Sequence, residues 1–229
     1  MPPPACSKWS APATKLAAVE RLGGHVVRVP FEDWWQTLEA SAFPGADGLF
    51  VHPVENEDVM AGNGTIGLEI AEDLSQVDAI VIPFGGGGLT TGVASATRVL
   101  LPDTSVYTVE PATANPLEVS LAAGEPCEVD YEASFVDGAG GRAVLPRMWP
   151  RLLPLVDGAL SVSIDRASAA VRMLAERARV VSEGAGALGL AAVLAGLPRP
   201  VESVVCIVSG GNIDPPVLAS ILRDGQAPS

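Results

Sequence analysis

Four consecutive glycines, Gly85 to Gly88, form the segment of this sequence best suited to binding chemistry. They follow an almost continuous apolar run, Asp78–Phe84, and precede a helical pattern from Leu89 to Leu100. Because unpaired N–H groups and the helix dipole meet at a helix N-terminus, such a loop is suited to hold an anion, most often a phosphate. We predict a phosphate-binding loop in preference to a flexible surface turn, since α/β proteins bind ligands at the carboxyl ends of sheet strands.

Two common nucleotide-binding motifs do not fit this loop. A dinucleotide fingerprint needs a third glycine at position 90 or 91, where the chain has Thr90 and Thr91. A P-loop needs lysine directly after its last glycine, and the chain's only lysines are Lys8 and Lys15. Both nucleotide interpretations are therefore weak.

The elements that position the loop alternate between strands and helices along the chain. Besides the run at 78–84, apolar patterns predict strands at 25–29, 49–52, 105–109 and 204–208. Helical patterns are found at 14–22, 32–40, 55–74, 89–100, 165–180 and 183–197. We predict Asp165 as a helix N-cap, residues 1–13 as a loose lead-in, 111–158 as loops with short helices, and the residues after 212 as a short tail. The alternation indicates an α/β fold.

Composition excludes several classes of protein. Hydrophobic residues make up 48% of the chain and charged residues 18%, which is typical of a globular protein with a core. A formal net charge of -13 argues against nucleic acid as a partner. Three widely spaced cysteines argue against a disulfide framework or a structural zinc site. The longest apolar stretch, near Gly184–Leu197, is too short and glycine-rich to span a bilayer, and the first residues lack signal-peptide features. We therefore expect a cytoplasmic protein that does not enter a membrane.

Six segments, taken in order, resemble the fold-type II pyridoxal-phosphate enzymes, in the branch of serine/threonine dehydratases and serine racemases. They are APATKLAAVERLGG at 11–24, LFVHP at 49–53, GNGTIGLEI at 62–70, GGGGL at 85–89, EGAGA at 183–187 and SGGN at 209–212. The resemblance implies a fold like that of the tryptophan synthase β subunit, with a parallel sheet flanked by helices. It also implies a partial small α/β domain at residues 1–75 and a large cofactor-binding domain at 76–229.

The resemblance implies which residues contact the cofactor, pyridoxal 5'-phosphate. The main chain of the glycine loop would wrap the cofactor phosphate, which gives this role to Gly85, Gly86, Gly87, Gly88 and Leu89. Ser209 would face the nitrogen of the pyridine ring, where a neutral hydroxyl leaves the ring unprotonated. The alternative for Ser209 is a turn residue that bonds its own backbone.

Three further residues are implied near the reacting groups. Glu183 matches an acid that lies close to the cofactor, or it is a helix-start acid that complements the helix dipole. Asp137 and Gly138 resemble an Asp-Gly segment at the substrate pocket, with a surface turn as the alternative.

A cation site is implied at the end of a predicted strand. Glu110 resembles a cation ligand of some family members, and Ala114 is placed to give its carbonyl oxygen. The acid expected next in that ligand set is replaced by Pro116. The alternative for Glu110 is an ordinary exposed glutamate.

The chemistry of the family also requires a lysine that forms a Schiff base with the cofactor and moves the substrate α-proton. The family carries this lysine in a Ser-x-Lys segment far upstream of the glycine loop. The segment around Lys8 does not match that context, and Lys15 resembles a different lysine on a helix of the small domain. We expect the chain to start partway through the family's small domain, and we assign the Schiff-base lysine to none of its residues.

The resemblance implies an ammonia-lyase, or dehydratase, that converts L-threonine or L-serine into a 2-oxo acid and ammonia. Because the lysine segment is missing, one alternative is a non-catalytic remnant, and another is half of a split enzyme that needs an upstream partner chain. A homodimer is a further expectation. Serine racemase and cysteine-synthase-like β-replacement are the alternative reactions on the same fold.

Overall fold

A computed structural model of the chain describes residues 4–8, 13–45 and 48–228. The chain divides into two compact units. Unit 1 comprises residues 1–53 and 212–214, and unit 2 comprises residues 54–211 and 215–229. This border lies ahead of the predicted domain border between residues 75 and 76, because the helix Glu57–Asp73 packs against the helix that follows the glycine loop.

Unit 1 contains two parallel strands and two helices among its described residues. In chain order they are β1 (Pro4–Lys8), α1 (Ala13–Arg21), β2 (His25–Val29) and α2 (Phe31–Ala40). The strands pair along their whole length, from Pro4 beside His25 to Lys8 beside Val29. The loose lead-in predicted for residues 1–13 is therefore wrong over β1. Pro4 occupies the first position of the strand, where a missing N–H is tolerated.

Unit 2 carries the glycine loop and most of the regular structure. Its first elements are α3 (Glu57–Asp73), β3 (Ala79–Pro83), α4 (Gly88–Leu100), β4 (Ser105–Pro111), α5 (Pro116–Ala123) and α6 (Trp149–Leu152). They are followed by β5 (Gly158–Val162), α7 (Ile164–Met173), a π-helical turn (Leu174–Ala178), α8 (Gly184–Ala195), β6 (Val204–Cys206) and α9 (Pro215–Asp224).

The strands of unit 2 form a four-stranded parallel sheet in the order β5-β4-β3-β6. Strand β3 lies inside the sheet, and each of its residues is buried. Its Ile80 and Ile82 belong to a core that includes Val93 of α4 and Val106 of β4. Apolar, β-branched residues favour a strand covered on both faces, which explains why the run at 78–84 is continuous. The parallel sheet and the α/β class are as predicted from the sequence.

Helices α3 and α4 pack closely because glycines lie at their contact. A methyl group placed on Gly92 would overlap the carbonyl oxygen of Met60, and one placed on Gly67 would lie 2.7 Å from the Cβ of Ala96. Helix α3 begins at an Asn56 cap, whose side chain accepts a hydrogen bond of 3.0 Å from the N–H of Val59. Helix α4, which begins at the glycine loop, thus packs against a helix, α3, whose N-terminus is capped.

Two further predictions of local structure are wrong. Residues 49–52 are irregular rather than a strand, and Leu49 is 88% exposed. The N-cap of α7 is Ser163, which accepts from the N–H of Arg166, and Asp165 instead lies in the first turn. Both errors arise because the sequence signal is ambiguous on its own. A short apolar run forms a strand only where a partner strand is available, and an acid near a helix start can be the N-cap or a residue of the first turn.

Besides β1, two elements are present that the sequence did not predict. Strand β5 begins at Gly158, the last residue of the stretch 111–158, and continues to Val162, and it pairs with β4. Helix α9 occupies the predicted short tail, and it packs against α7. Across the described residues, no helix combines the length and the apolar character that crossing a bilayer requires.

Candidate active site

The glycine loop joins the end of β3 to the start of α4. Gly87 is the N-cap of α4 and has a φ of 98°, a conformation that favours glycine. Within the described part of the chain, the amides of Gly85, Gly86 and Gly87 donate to no backbone carbonyl. The amides of the first helical turn have no intrahelical acceptor either. The loop therefore offers a run of unpaired N–H groups at the positive end of a helix, as predicted for an anion site.

The glycines are also required by the packing of the loop against Val54. A methyl group on Gly86 would overlap the Val54 side chain, and one on Gly88 would lie 2.8 Å from the Val54 carbonyl oxygen. On the other side of the loop, a methyl group on Gly85 would lie 3.3 Å from the carbonyl oxygen of Gly138. Sequence reasoning missed Val54, whose residue type carries no chemical signal.

Ser209 follows β6, the strand next to β3 in the sheet. The two strands are parallel, and the N–H of Ile207 continues their pairing with a hydrogen bond of 3.0 Å to the carbonyl oxygen of Val81. Because the carboxyl ends of parallel strands meet at one edge of a sheet, Ser209 emerges at the same edge as the glycine loop. Ser209 is exposed, so its hydroxyl is available to a ligand.

Glu183 lies at this edge of the sheet, against the residue that follows Ser209. The backbone N–H of Glu183 donates to the carbonyl oxygen of Gly210 at 3.0 Å. A methyl group on Gly210 would overlap a carboxylate oxygen of Glu183, and one on Gly138 would lie 3.5 Å from the same oxygen. Glu183 is also the N-cap of α8 and makes no capping hydrogen bond with its side chain. Both predicted roles, near a ligand and at a helix start, are therefore compatible with its position.

The structure thus brings together four of the predicted segments. The glycine loop approaches Gly138, Gly138 approaches Glu183, and Glu183 packs on the residue after Ser209. Asp137, which precedes Gly138, is half-buried. These segments come from strand ends and loops that are distant in the sequence, which is typical of a ligand site on a parallel sheet.

Glu110 is buried completely, so the exposed glutamate considered as the alternative is wrong. Its carboxylate oxygens accept hydrogen bonds from the N–H groups of Leu117 at 3.1 Å and Glu118 at 2.9 Å. Burial raises the pKa of Glu110 to about 8, although the two amide hydrogen bonds act in the opposite direction. The geometry makes Glu110 the cap of α5, whose first residue, Pro116, has no N–H to be capped.

The metal-ligand role of Glu110 and Ala114 stays a prediction. Ala114 is buried, and its N–H donates to the carbonyl oxygen of Pro111 at 2.9 Å. Among residues 4–8, 13–45 and 48–228, no group of three or more histidine, cysteine, aspartate or glutamate side chains is placed to hold a metal ion.

Two buried hydroxyls next to the glycine loop were not predicted as functional. The side-chain oxygens of Thr90 and Thr91 are buried and have no hydrogen-bond partner among the described residues. Both lie at the start of α4. Two polar β-branched residues directly after a glycine loop were the available signal, since threonine in a buried helical turn normally bonds a carbonyl oxygen.

The residues present fit one part of the cofactor implied by the resemblance and lack another. The unpaired amides of the loop and the start of α4 suit the phosphate of pyridoxal 5'-phosphate. No lysine amine is available in unit 2, because residues 54–211 and 215–229 contain no lysine. Unit 2 therefore offers main-chain amides that suit a phosphate and offers no lysine amine for covalent chemistry.

Comparison with known proteins agrees with this geometry. The family described as "Pyridoxal-phosphate dependent enzyme" matches residues 6–210. The L-threonine ammonia-lyase of Thermotoga maritima is 35% identical over 96% of this chain and 55% of its own length. A serine racemase of Oryza sativa subsp. indica is 33% identical over 91% of this chain and 63% of its own length. The chain thus spans little more than half the length of these relatives.

A solved structure extends the likeness to three dimensions. The crystal structure of a threonine deaminase from T.th. superposes with a TM-score of 0.76 at 34% identity, covering 87% of this chain and 67% of that one. The resemblance seen in the ordered sequence segments is confirmed, together with the fold and the cofactor that characterise the family. The chain belongs to the pyridoxal-phosphate-dependent enzymes, in the fold-type II branch.

Proposed function

We propose that this chain is the cofactor-anchoring part of an ammonia-lyase that converts L-threonine or L-serine into a 2-oxo acid and ammonia. The observation that carries the proposal is the run of unpaired amides at the start of α4, beside the strand end that bears Ser209. The likeness to an L-threonine ammonia-lyase, at 35% identity over nearly the whole chain, favours this reaction over others on the same fold. When bound, pyridoxal 5'-phosphate supplies the electron sink that the reaction needs.

The glycine loop is proposed to hold the cofactor phosphate. Its N–H groups donate to phosphate oxygens, and the dipole of α4 stabilises the negative charge. A chain with a net charge of -13 repels anions at long range, so this local arrangement of main-chain dipoles is needed to attract one. The buried hydroxyls of Thr90 and Thr91 lie in the same helical turn.

The residues across the site are proposed to orient the ring and the substrate. Ser209 donates its hydroxyl proton in a hydrogen bond to the pyridine nitrogen without adding charge, which leaves the ring unprotonated. Asp137 and Gly138 border the substrate pocket. Glu183, held against Gly138 and Gly210, positions this wall of the pocket.

The amine that holds the cofactor covalently is proposed to come from outside unit 2, because residues 54–211 and 215–229 contain no lysine. We propose a polypeptide segment beyond residues 1–229, either continuous with this chain or in a partner chain, as its source. Without that segment, the chain binds the cofactor and does not turn over. A non-catalytic binding protein is the outcome if the segment does not exist.

Cofactor titration tests the anchoring role. Pyridoxal 5'-phosphate is expected to raise the melting temperature of the chain, inorganic phosphate is expected to compete with it, and pyridoxal without phosphate is expected to have little effect. The variant Ser209→Ala should change the absorbance of the bound cofactor, whereas Ser75→Ala, at another exposed serine of unit 2, should not. Equal binding of pyridoxal with and without phosphate would refute the proposed role of the loop.

A second experiment tests the reaction and the missing amine. Borohydride reduction of the cofactor-loaded chain, followed by peptide mass analysis, is expected to give no cofactor adduct. An adduct on Lys8 or Lys15 would contradict the proposal. Adding a small primary amine should then give slow formation of 2-oxobutanoate from L-threonine, detected with a coupled dehydrogenase.

Serine racemase is the second candidate, because a racemase is 33% identical over 91% of the chain. Racemisation needs a second base on the opposite face of the substrate, so it places more of its chemistry outside this chain. Chiral chromatography after incubation with L-serine and the added amine separates the two reactions. D-Serine without 2-oxo acid would favour the racemase.

A further inference from the structure

Thr90 carries a buried hydroxyl directly beside the glycine loop. It is the third residue of α4, its exposed fraction is 0%, and its side-chain oxygen has no hydrogen-bond partner among the described residues. A buried hydroxyl without a partner destabilises a folded chain, and most buried polar atoms are therefore paired. Beside a proposed ligand site, this unpaired oxygen indicates a contact with the ligand itself.

Thr97, on the same helix, shows the bond that a buried threonine normally makes. It is equally buried, and its hydroxyl donates to the carbonyl oxygen of Val93, four residues earlier, at 2.9 Å. The residue four positions before Thr90 is Gly86, which lies in the loop ahead of the Gly87 N-cap. Because that residue is outside the helix, its carbonyl group is not placed to accept from Thr90. The first turn of α4 thus leaves the hydroxyl of Thr90 without its usual acceptor.

The position of Thr90 in the helix directs its side chain towards the glycine loop. Helical side chains lean towards the N-terminus of their helix, and a side chain at the third position can reach the N-cap amide. The N-cap is Gly87, whose amide donates to no backbone carbonyl in the described chain. A methyl group on Gly87 would lie 3.2 Å from the ring of Phe84 and 3.3 Å from a methyl group of Leu152. These apolar neighbours provide no acceptor, and they keep the local dielectric low, which strengthens a hydrogen bond made there.

The adjacent hydroxyl of Thr91 is also unpaired among the described residues, but it faces a different part of the molecule. Thr91 lines a groove of about 480 Å³ between α3 and α4, together with Met60 and Gly64 of α3. Successive residues of a helix point about 100° apart. Thr90 lies three residues before Val93, on the side of α4 that packs into the core. Of these two hydroxyls, that of Thr90 is therefore the one placed to meet an anion on the loop.

We propose that the hydroxyl of Thr90 donates a hydrogen bond to the cofactor phosphate bound at the glycine loop. The inference rests on the proposed function of that loop, and it adds one side chain to a site otherwise formed by main-chain amides. Ionised phosphate oxygens accept hydrogen bonds, so the hydroxyl is the donor. Binding thereby pairs a polar atom that is unpaired in the free chain. The same hydroxyl therefore destabilises the free chain and stabilises the chain with bound phosphate.

Binding of pyridoxal 5'-phosphate to the full chain, followed by the absorbance of the cofactor, tests the proposal. Thr90→Val replaces the hydroxyl with a methyl group of similar size. It is expected to weaken binding about 10- to 100-fold, because a hydrogen bond to a charged group is lost. The affinity for inorganic phosphate should fall by the same factor, whereas binding of pyridoxal without phosphate should not change. Thr90→Ser, which keeps the hydroxyl, should bind like the wild type. Equal affinity of Thr90→Val and the wild-type chain for pyridoxal 5'-phosphate would overturn the proposal.

Thr97→Val is the matched control on the same helix. It removes a hydroxyl that is already paired, so it should lower the melting temperature of the free chain by about 3 °C and leave the affinity for pyridoxal 5'-phosphate unchanged. Thr90→Val should instead raise the melting temperature by about 3 °C, because it removes an unpaired polar atom from the interior. A lower melting temperature for Thr90→Val would mean that its hydroxyl is paired within the chain, which contradicts the proposal.

The role of Thr90 and the function of the loop fail in different ways. If the wild-type chain binds pyridoxal 5'-phosphate no better than pyridoxal, the loop does not hold a phosphate and both proposals are wrong. If the wild-type chain prefers the phosphorylated ligand and Thr90→Val keeps that preference in full, only the role of Thr90 is wrong. A loss of affinity in Thr91→Val rather than in Thr90→Val would assign the contact to the other hydroxyl, which also overturns the proposal.

Discussion

The substitution Gly92→Ala is expected to destabilise unit 2, although alanine is a better helix former than glycine. Gly92 lies in α4 at the contact with α3, where an added methyl group would overlap the carbonyl oxygen of Met60. The same methyl group would lie 2.8 Å from the Cβ of Asn63 and 2.9 Å from the N atom of Gly64. These neighbours are backbone or Cβ atoms and cannot rotate away, so the two helices have to move apart.

The magnitude follows from two opposing effects. Replacing glycine by alanine inside a helix contributes about 1 kcal/mol to the free energy of unfolding. Overpacking costs about 1–3 kcal/mol, and the upper end applies where the clash is with backbone. The net expectation for Gly92→Ala is a loss of about 2 kcal/mol. Gly62→Ala, on the open face of α3, should instead gain up to about 1 kcal/mol.

Urea denaturation followed by circular dichroism measures both variants, with all chains at the same protein concentration. The two free energies of unfolding should differ by about 3 kcal/mol, with unchanged slopes. Gly64→Ala should fall between them, because its methyl group would lie 3.3 Å from the Gly92 carbonyl oxygen. If Gly92→Ala proved as stable as Gly62→Ala, the close approach of α3 and α4 would not be real.

Three further outcomes are expected. Because the pKa of Glu110 is raised from 4.5 to about 8 in the folded chain, its contribution to stability is present below pH 4.5 and is lost as the pH rises towards 8. Glu110→Gln should therefore remove on the order of 5 kcal/mol of pH dependence from the free energy of unfolding measured in urea. Gly86→Ala should lower the free energy of unfolding by about 2 kcal/mol, and Val54→Ala in the same chain should recover part of it, which a double-mutant cycle measures. Asn56→Ala, which removes the cap of α3, should lower the free energy of unfolding by about 1 kcal/mol, and calorimetry would detect this change.

The central part of the fold could be predicted because its signals are local. The apolar run before Gly85 and the four glycines specify a strand, a loop and a helix from adjacent residues, and the structure has all three. The ordered segments of the resemblance add the position of Ser209. The strand-loop-helix unit and the position of Ser209 both follow from residue types that a buried strand or a phosphate loop requires. They could therefore be predicted without knowing how the rest of the chain folds.

Features that depend on distant partners could not be predicted in this way. Strand β5 exists because β4 offers it an edge, and β1 exists because β2 does. The burial of Glu110 likewise depends on the N-terminus of α5, which folds back over the carboxylate. Helix α9 is different, since its two leading prolines are a recognised helix-start signal that could have been used.

The unpaired amides of the glycine loop have a consequence for hydrogen exchange. Hydrogen exchange at Gly85, Gly86 and Gly87 is not limited by the breaking of a backbone hydrogen bond, because these amides have no carbonyl acceptor within the described chain. Deuterium uptake in this short peptide is therefore fast in the free protein and slows once an anion accepts those protons. Hydrogen-exchange mass spectrometry can therefore detect an anion bound to the loop, and the measurement needs no label, chromophore or turnover.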